Sequence, residues 1–257
     1  VSEEHLKKYY VYSPWLRLFH WTMVLSIVVL FFTGLYIGNP FFLGSQGIEP
    51  TFAFQERLSM ETIRYIHFSA AFILVAAFIL RIYGFIVNRG DRLFPRFWQA
   101  QYWAGMVEMV LHYSLIKPHH RPYLRNPLAR TSYAFVYVML AVEGLTGFAM
   151  YFMINPERWG AKIFGPLNDI LGGEYYVHLI HHYVAWLIII FAIVHIYMSI
   201  RADFMEQEGE ISSMFSGVKI LPHEPADGIE ISKCIHSGKE CNYRNAFCTG
   251  CGNYKEA

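Results

Sequence analysis

Residues 177–200 read VHLIHHYVAWLIIIFAIVHIYMSI, a membrane-length apolar run that carries His178, His181, His182 and His195. A helix rises 1.5 Å per residue, so about 20 apolar residues cross the ~30 Å hydrocarbon layer of a bilayer. Three more runs have the same character: Leu16–Gly38, Ile63–Val87 and Thr131–Met153. Such lengths are rare in the cores of soluble proteins. The expected fold is an all-α integral membrane protein whose four transmembrane helices, at 16–38, 63–87, 131–153 and 177–200, form a bundle. The first run is too long for a signal peptide and no small-residue cleavage site follows it, so it is read as a span.

Composition agrees. Of 257 residues, 54% are hydrophobic, 18% aromatic and only 16% charged, where soluble domains carry about 25% charged residues. This excludes a disordered chain, a collagen-like chain and a nucleic-acid binder. The net charge of +1 hides an asymmetry. Lys7 and Lys8 precede the first run. Arg89, Arg92, Arg96, Lys117, Arg121, Arg125 and Arg130 lie between the second and third, against Asp91 and Glu108 alone. The loops 39–62 and 154–176 hold just Arg57, Arg158 and Lys162. The positive-inside rule then places both termini in the cytoplasm of a bacterial inner-membrane protein. Residues 97–116 group Trp98, Trp103, Met106, Val107, Val110 and Leu111 roughly on one side, which suggests a helix in the cytoplasmic interface or a soluble cap helix. The membrane domain is expected to span 1–218 and a cysteine-containing cytoplasmic tail 219–257. No internal repeat is visible.

Ionisable residues inside a span point to function. With that orientation His67 and His181 share the periplasmic depth, and His20 and His195 the cytoplasmic depth. His181 and His195 are 14 residues apart. Fourteen steps of about 100° close to within ~40° of whole turns, so both face one way, separated by a rise of about 21 Å. That spacing suits two stacked planar cofactors. Two imidazoles on opposite faces of a haem leave no open site for oxygen and favour electron transfer. No Cys-x-x-Cys-His motif occurs, because Cys248-Thr-Gly-Cys251 is followed by Gly252, so the haems are expected to be of b type, two per chain. Gly34, Gly144 and Gly147 either admit a macrocycle or serve helix packing. His178 and His182 are turned roughly 100° and 140° from the face of His195. A metal cluster of the three neighbouring histidines is the alternative use for them.

These stretches resemble a known family, the cytochrome b subunits of membrane-bound nickel–iron uptake hydrogenases. That family is one branch of the cytochromes b that serve respiratory dehydrogenases. The resemblance rests on Leu16-Arg-Leu-Phe-His-Trp21, Arg64-Tyr-Ile-His-Phe-Ser69, Asn126-Pro-Leu-Ala129, Thr146-Gly-Phe-Ala-Met-Tyr151 and His181-x13-His195, and covers roughly residues 9–218. It implies four helices, two b haems ligated by His67 with His181 and by His20 with His195, and a quinone site (menaquinone or ubiquinone) near the cytoplasmic haem. It implies two partners, a membrane-anchored iron–sulfur small subunit and a nickel–iron large subunit. Electrons from hydrogen would pass through this chain to quinone, with no hydrogen-splitting site of its own. The family's His-Asn-Pro-x-x-Gln stretch here reads Arg125-Asn126-Pro127-Leu128-Ala129-Arg130. Asn126 is a candidate quinone contact, or simply a helix start.

Other residues keep two uses open. Glu143, mid-span, is either a proton relay or a hydrogen-bonding partner of a neighbouring helix. Arg17 and Arg64 either contact haem propionates or snorkel, and Arg81 lies near a helix end where it can snorkel too. Cys234, Cys241, Cys248 and Cys251 are free thiols, or ligands of zinc or an iron–sulfur cluster. At the level of function, the same architecture serves formate dehydrogenase or another dehydrogenase. A haem-free membrane anchor and a ferric reductase are further alternatives.

Overall fold

Three of the four long apolar runs start beside a polar residue that caps them. The computed structural model describes residues 7–38, 59–87, 94–117, 123, 126–154, 156–206 and 209–221. Helix α1 spans Pro14–Gly38. Proline stands at its first position, and Ser13 Oγ accepts from Leu16 N at 3.2 Å, the usual way to satisfy an orphan N–H. Helix α2, Met60–Val87, begins in the same way, with Ser59 Oγ accepting from Thr62 N at 3.2 Å. Helix α3 spans Ala100–Tyr113. Helix α4, Pro127–Met153, is capped by Asn126, whose Oδ1 accepts from Leu128 N at 2.9 Å. The short helices α5 (Trp159–Phe164) and α6 (Pro166–Ile170) follow, then α7, Glu174–Glu206, which starts after Gly172 and Gly173, both at positive φ. Helix α8 spans Glu210–Ser216.

Four of these helices, α1, α2, α4 and α7, are long and apolar enough to cross a membrane. They occupy the four runs expected from the sequence, and each starts a few residues earlier. The capping serines and asparagine sit outside the apolar stretch, so hydropathy alone does not reveal them. The solvent for these helices is legible in their faces. Leu25, Phe32, Ile79, Val138, Leu187 and Ile193 are exposed, while Ser26, Thr33, Arg81, Arg130 and Thr146 are buried. Apolar side chains outside and polar ones inside is the pattern of a chain solvated by lipid. Arg81 is only 5% exposed, so it is enclosed by protein rather than extended to a surface.

Two compact units are present, residues 18–83 and residues 1–17 with 84–257. The smaller consists of most of α1 with α2. In the larger, α4 packs on α7, on α3 and on α5. Helix α3 buries Tyr102, Gly105, Glu108, Met109 and His112 and exposes Trp103, Val107 and Val110. Its inner face is thus the polar one. Tyr102 donates to Pro127 O at 2.8 Å at the start of α4, and burial pushes its hydroxyl pKa up. Glu108 pairs with Lys117 at 2.9 Å and accepts from Tyr123. The far end of α4 is closed by Phe148, Phe152, Trp159 and Phe164, with Phe152 and Phe164 stacked at 5.8 Å. A Cβ on Gly160 would lie 2.2 Å from Phe152, so only glycine lets α5 approach this cluster.

The two strands were not anticipated. Strand β1, Lys7–Tyr10, pairs antiparallel with β2, Val218–Leu221, in the register Lys7↔Leu221 to Tyr10↔Val218. Pairing thus continues three residues into the stretch assigned to the tail; the cysteines 234–251 lie outside the described residues. Gly217 anchors the clasp. Its carbonyl accepts from Val11 N (2.8 Å) and Tyr12 N (3.3 Å), and its φ is +84°. A Cβ there would lie 2.7 Å from Tyr12 O. Arg17 Nη1 donates to Phe215 O beside it. Lys219, 2% exposed, pairs with Glu210 and donates to Tyr123 O at 3.3 Å.

Gly217→Ala is therefore expected to destabilise the clasp by about 1–2 kcal/mol for the left-handed backbone alone. Faster amide exchange at Val11 and Tyr12 and a lower thermal midpoint of the purified chain are the readouts. Unchanged exchange would remove this role.

Candidate functional site

An imidazole has one N–H and one lone pair in its neutral form, and its surroundings decide which nitrogen carries which. Thr33 on α1 makes that choice for His67 on α2. The threonine hydroxyl donates to Val29 O one turn back, at 2.7 Å, so its oxygen is left to accept. It lies 2.8 Å from His67 Nδ1. The proton is thereby assigned to Nδ1, and the lone pair to Nε2. Beside the pair, Gly34 has no side chain; a Cβ there would lie 3.5 Å from His67 Cε1.

The same arrangement occurs a second time. Thr146 on α4 donates to Val142 O at 2.7 Å and accepts from His181 Nδ1, on α7, at 2.9 Å. Gly147 follows, and a Cβ on it would lie 3.4 Å from His181 Cε1. Each threonine precedes its histidine by a similar distance, 34 residues in one case and 35 in the other. A Thr-Gly dipeptide on one helix thus grips a histidine on a later helix twice in the chain. The sequence reading found no repeat. The shared signal was only the dipeptide at 33–34 and 146–147, too short to stand out among small-residue helix contacts.

The repeat fits axial ligation of a planar macrocycle. A metal-ligating histidine donates its other N–H to a fixed acceptor, and Thr33 and Thr146 are such acceptors. The missing side chains at Gly34 and Gly147 leave the flank of each ring open, as the edge of a macrocycle requires. Among the described residues, His181 Nε2 has no hydrogen-bond partner.

The neighbours of His181 are engaged differently. His178 Nδ1 donates to Glu174 O within its own helix, at 3.1 Å. His182 Nε2 accepts from Trp186 Nε1 at 3.2 Å. Among the described residues no group of three His, Cys, Asp or Glu side chains is placed to hold a metal ion. Glu143, one turn before Thr146, places Oε2 2.9 Å from His181 Nδ1. Of its two readings, the hydrogen bond to a neighbouring helix is the contact observed. At the other end of α7, Phe191 stacks on His195 with centroids 5.7 Å apart, and His20 stands edge-on to Trp21 at 5.4 Å.

Asn126 caps α4, and its Nδ2 donates to Tyr113 OH at 3.3 Å. The guanidinium of Arg201 stands 5.6 Å above the Tyr113 ring. Arg201 Nη1 and Arg17 Nε are buried donors without a hydrogen-bond partner among the described residues. Arg64 is exposed near the start of α2.

Residues 11–217 match the family described as prokaryotic cytochrome b561. The chain is 36% identical over 226 residues to the "Probable Ni/Fe-hydrogenase B-type cytochrome subunit" of Cupriavidus necator, covering 85% of this chain and 90% of that protein. It is 33% identical over 218 residues to the protein of the same description from Rhizobium leguminosarum bv. viciae, covering 82% and 89%. It is 31% identical over 229 residues to the "Probable Ni/Fe-hydrogenase 1 B-type cytochrome subunit" of Escherichia coli K12, covering 85% and 93%.

Replacing Thr33 or Thr146 by valine keeps the shape and removes the acceptor. Losing the acceptor that orients a ligating histidine costs about 10–100-fold in metal-site affinity. Each variant is expected to lose haem faster on dilution in detergent, followed in the Soret band. Wild-type retention in both would show that the threonines do not hold the rings.

Proposed function

The chain belongs to the prokaryotic cytochrome b561 family, and from that premise we propose that it is the di-haem b subunit passing electrons from a membrane-bound nickel–iron hydrogenase to quinone. It is a multi-pass bacterial membrane protein with four apolar helices. The observation that carries the proposal is that relatives matched over most of both chains are described as hydrogenase B-type cytochrome subunits.

Haem b, when bound, supplies a one-electron Fe(III)/Fe(II) couple. His67 and His181 hold one haem and His20 and His195 the other. Thr33 and Thr146 keep the lone pairs of His67 and His181 on Nε2, which is the form a metal takes. His181 and His195 stand on one helix about 21 Å apart by helical rise, so α7 serves both haems and spans most of the ~30 Å hydrocarbon layer. The basic segments support a cytoplasmic side for both termini. His67 and His181 would then hold their haem at the periplasmic side, where it would supply the one-electron couple for electrons from an iron–sulfur small subunit whose large subunit oxidises hydrogen.

The acceptor side lies at the cytoplasmic end of α7. Quinone carbonyls require hydrogen-bond donors. The second amide hydrogen of Asn126, the Tyr113 hydroxyl it bonds, and Arg201 with its unpaired Nη1 supply them. Arg17, whose Nε is likewise buried and unpaired among the described residues, suits a haem propionate, since charge-assisted bonds to carboxylates favour arginine.

Membranes holding the chain and its partners are expected to show reduction of the b-type α-band by hydrogen and not by formate. A pyridine haemochrome assay should give about two b haems per chain, and His67→Ala or His181→Ala should abolish reduction by hydrogen. Reduction by formate alone would assign a different donor to the same architecture. A chain without haem would be a membrane anchor.

A further inference from the structure

The two Thr-Gly-His units differ in the side chain one turn before the threonine. Three residues before Thr33 stands Leu30, and three before Thr146 stands Glu143. Leucine offers no acceptor. Glu143 places Oε2 2.9 Å from His181 Nδ1, which also lies 2.9 Å from Thr146 Oγ1. The proton on His181 Nδ1 is therefore shared between a hydroxyl and a carboxyl group. The carboxyl group is mostly buried, at 14% side-chain exposure, and its Oε1 has no hydrogen-bond partner among the described residues.

Fixing the tautomer does not explain this glutamate. Thr33 fixes the tautomer of His67 with Leu30 at the matching position, so threonine is sufficient for that task. A carboxylate in the middle of a span is costly, and here it is added to an acceptor already in place. What it brings that threonine does not is a carboxyl group, a second acceptor 2.9 Å from the same ring nitrogen. A hydrogen bond to an ionised acceptor is roughly twice as strong as a neutral one, and the low dielectric of a membrane interior amplifies it. Pulling the Nδ1 proton outward makes Nε2 a more basic donor. A more basic axial donor favours the ferric over the ferrous iron, and hydrogen bonds to the axial ligands are an established lever on haem potential.

We propose that Glu143 is a positioning residue that acts through His181, drawing on its Nδ1–H so that the haem ligated by His181 sits at a lower potential than threonine alone would give. The proposal rests on the ligation of haem by His181 put forward above. It makes the two axial ligands of that haem unequal, His67 with a leucine and His181 with a glutamate behind the same Thr-Gly pair.

The test is an optical redox titration of the α-band in the intact complex, comparing wild type with Glu143→Gln, Glu143→Asp and Glu143→Leu. In Glu143→Gln one of two one-electron components is expected to move upward by on the order of tenfold in its equilibrium constant, about 59 mV. The other component should stay, and the bis-imidazole low-spin electron paramagnetic resonance signal should persist. Glu143→Asp should retain most of the wild-type potential. Glu143→Leu, which copies the residue found beside the first unit, carries the test if the glutamine variant does not accumulate. Unmoved midpoints in variants that retain both haems would overturn this proposal alone, as would an equal upward shift in Glu143→Asp. A wild-type chain that binds no b haem would overturn the ligation itself and this proposal with it.

Discussion

A buried imidazole N–H must be satisfied within the protein when the surrounding solvent is hydrocarbon, and much of this molecule depends on how that is done. Threonine solves the problem in a particular way. Its hydroxyl hydrogen goes to a carbonyl one turn back on its own helix, at Val29 for Thr33 and at Val142 for Thr146. The oxygen is then an acceptor by elimination. A serine offers the same atoms with more rotational freedom, whereas the branched threonine side chain is held stiffly at χ1. Two pairs of helices are thereby tied, α1 to α2 and α4 to α7, and at each tie the next residue is glycine.

Everything else in the membrane region follows the inverted logic of a lipid-solvated chain. Ser26, Thr33, Arg81, Arg130 and Thr146 face inward along the spans, and beyond the spans the buried Lys219 and Glu108 are paired. Lys219 reaches Glu210 and the Tyr123 carbonyl, and Glu108 holds Lys117 and Tyr123. These contacts link α8, β2 and α3 through the single residue Tyr123. They hold together the end of the molecule where Asn126, Tyr113 and Arg201 converge, so the groups assigned to quinone rest on a paired polar scaffold.

The spans were legible because four runs of apolar residues exceed what any soluble core requires; His20, His67, His181 and His195 stood out as ionisable residues within those runs, and their pairing on two haems belongs to the proposed function. The threonines were not, although Thr146 stood in a stretch that carried the family resemblance. A threonine in an apolar helix has many uses, and only the position of its neighbour on another helix selects one. Asn126 was read as a quinone contact or a helix start; the geometry shows the cap directly. The helices α5, α6 and α8 are short and have weak periodicity, so nothing in the local sequence set them apart from loop. Strands β1 and β2 were invisible for a different reason. Neither four-residue segment alternates clearly, and each finds its partner across nearly the whole membrane domain.

That last pairing orders events in time. The clasp joins the first described residues to the last, Lys7 to Leu221. Ribosomes add about 5–20 residues per second, so roughly 10–40 s separate the synthesis of the two strands. Through that interval all four spans are made while β1 has no partner. The clasp closes only when the fourth span has been delivered, which makes strand pairing a record that all four spans have been made: a chain arrested before residue 218 can thread the bilayer but cannot fasten β1.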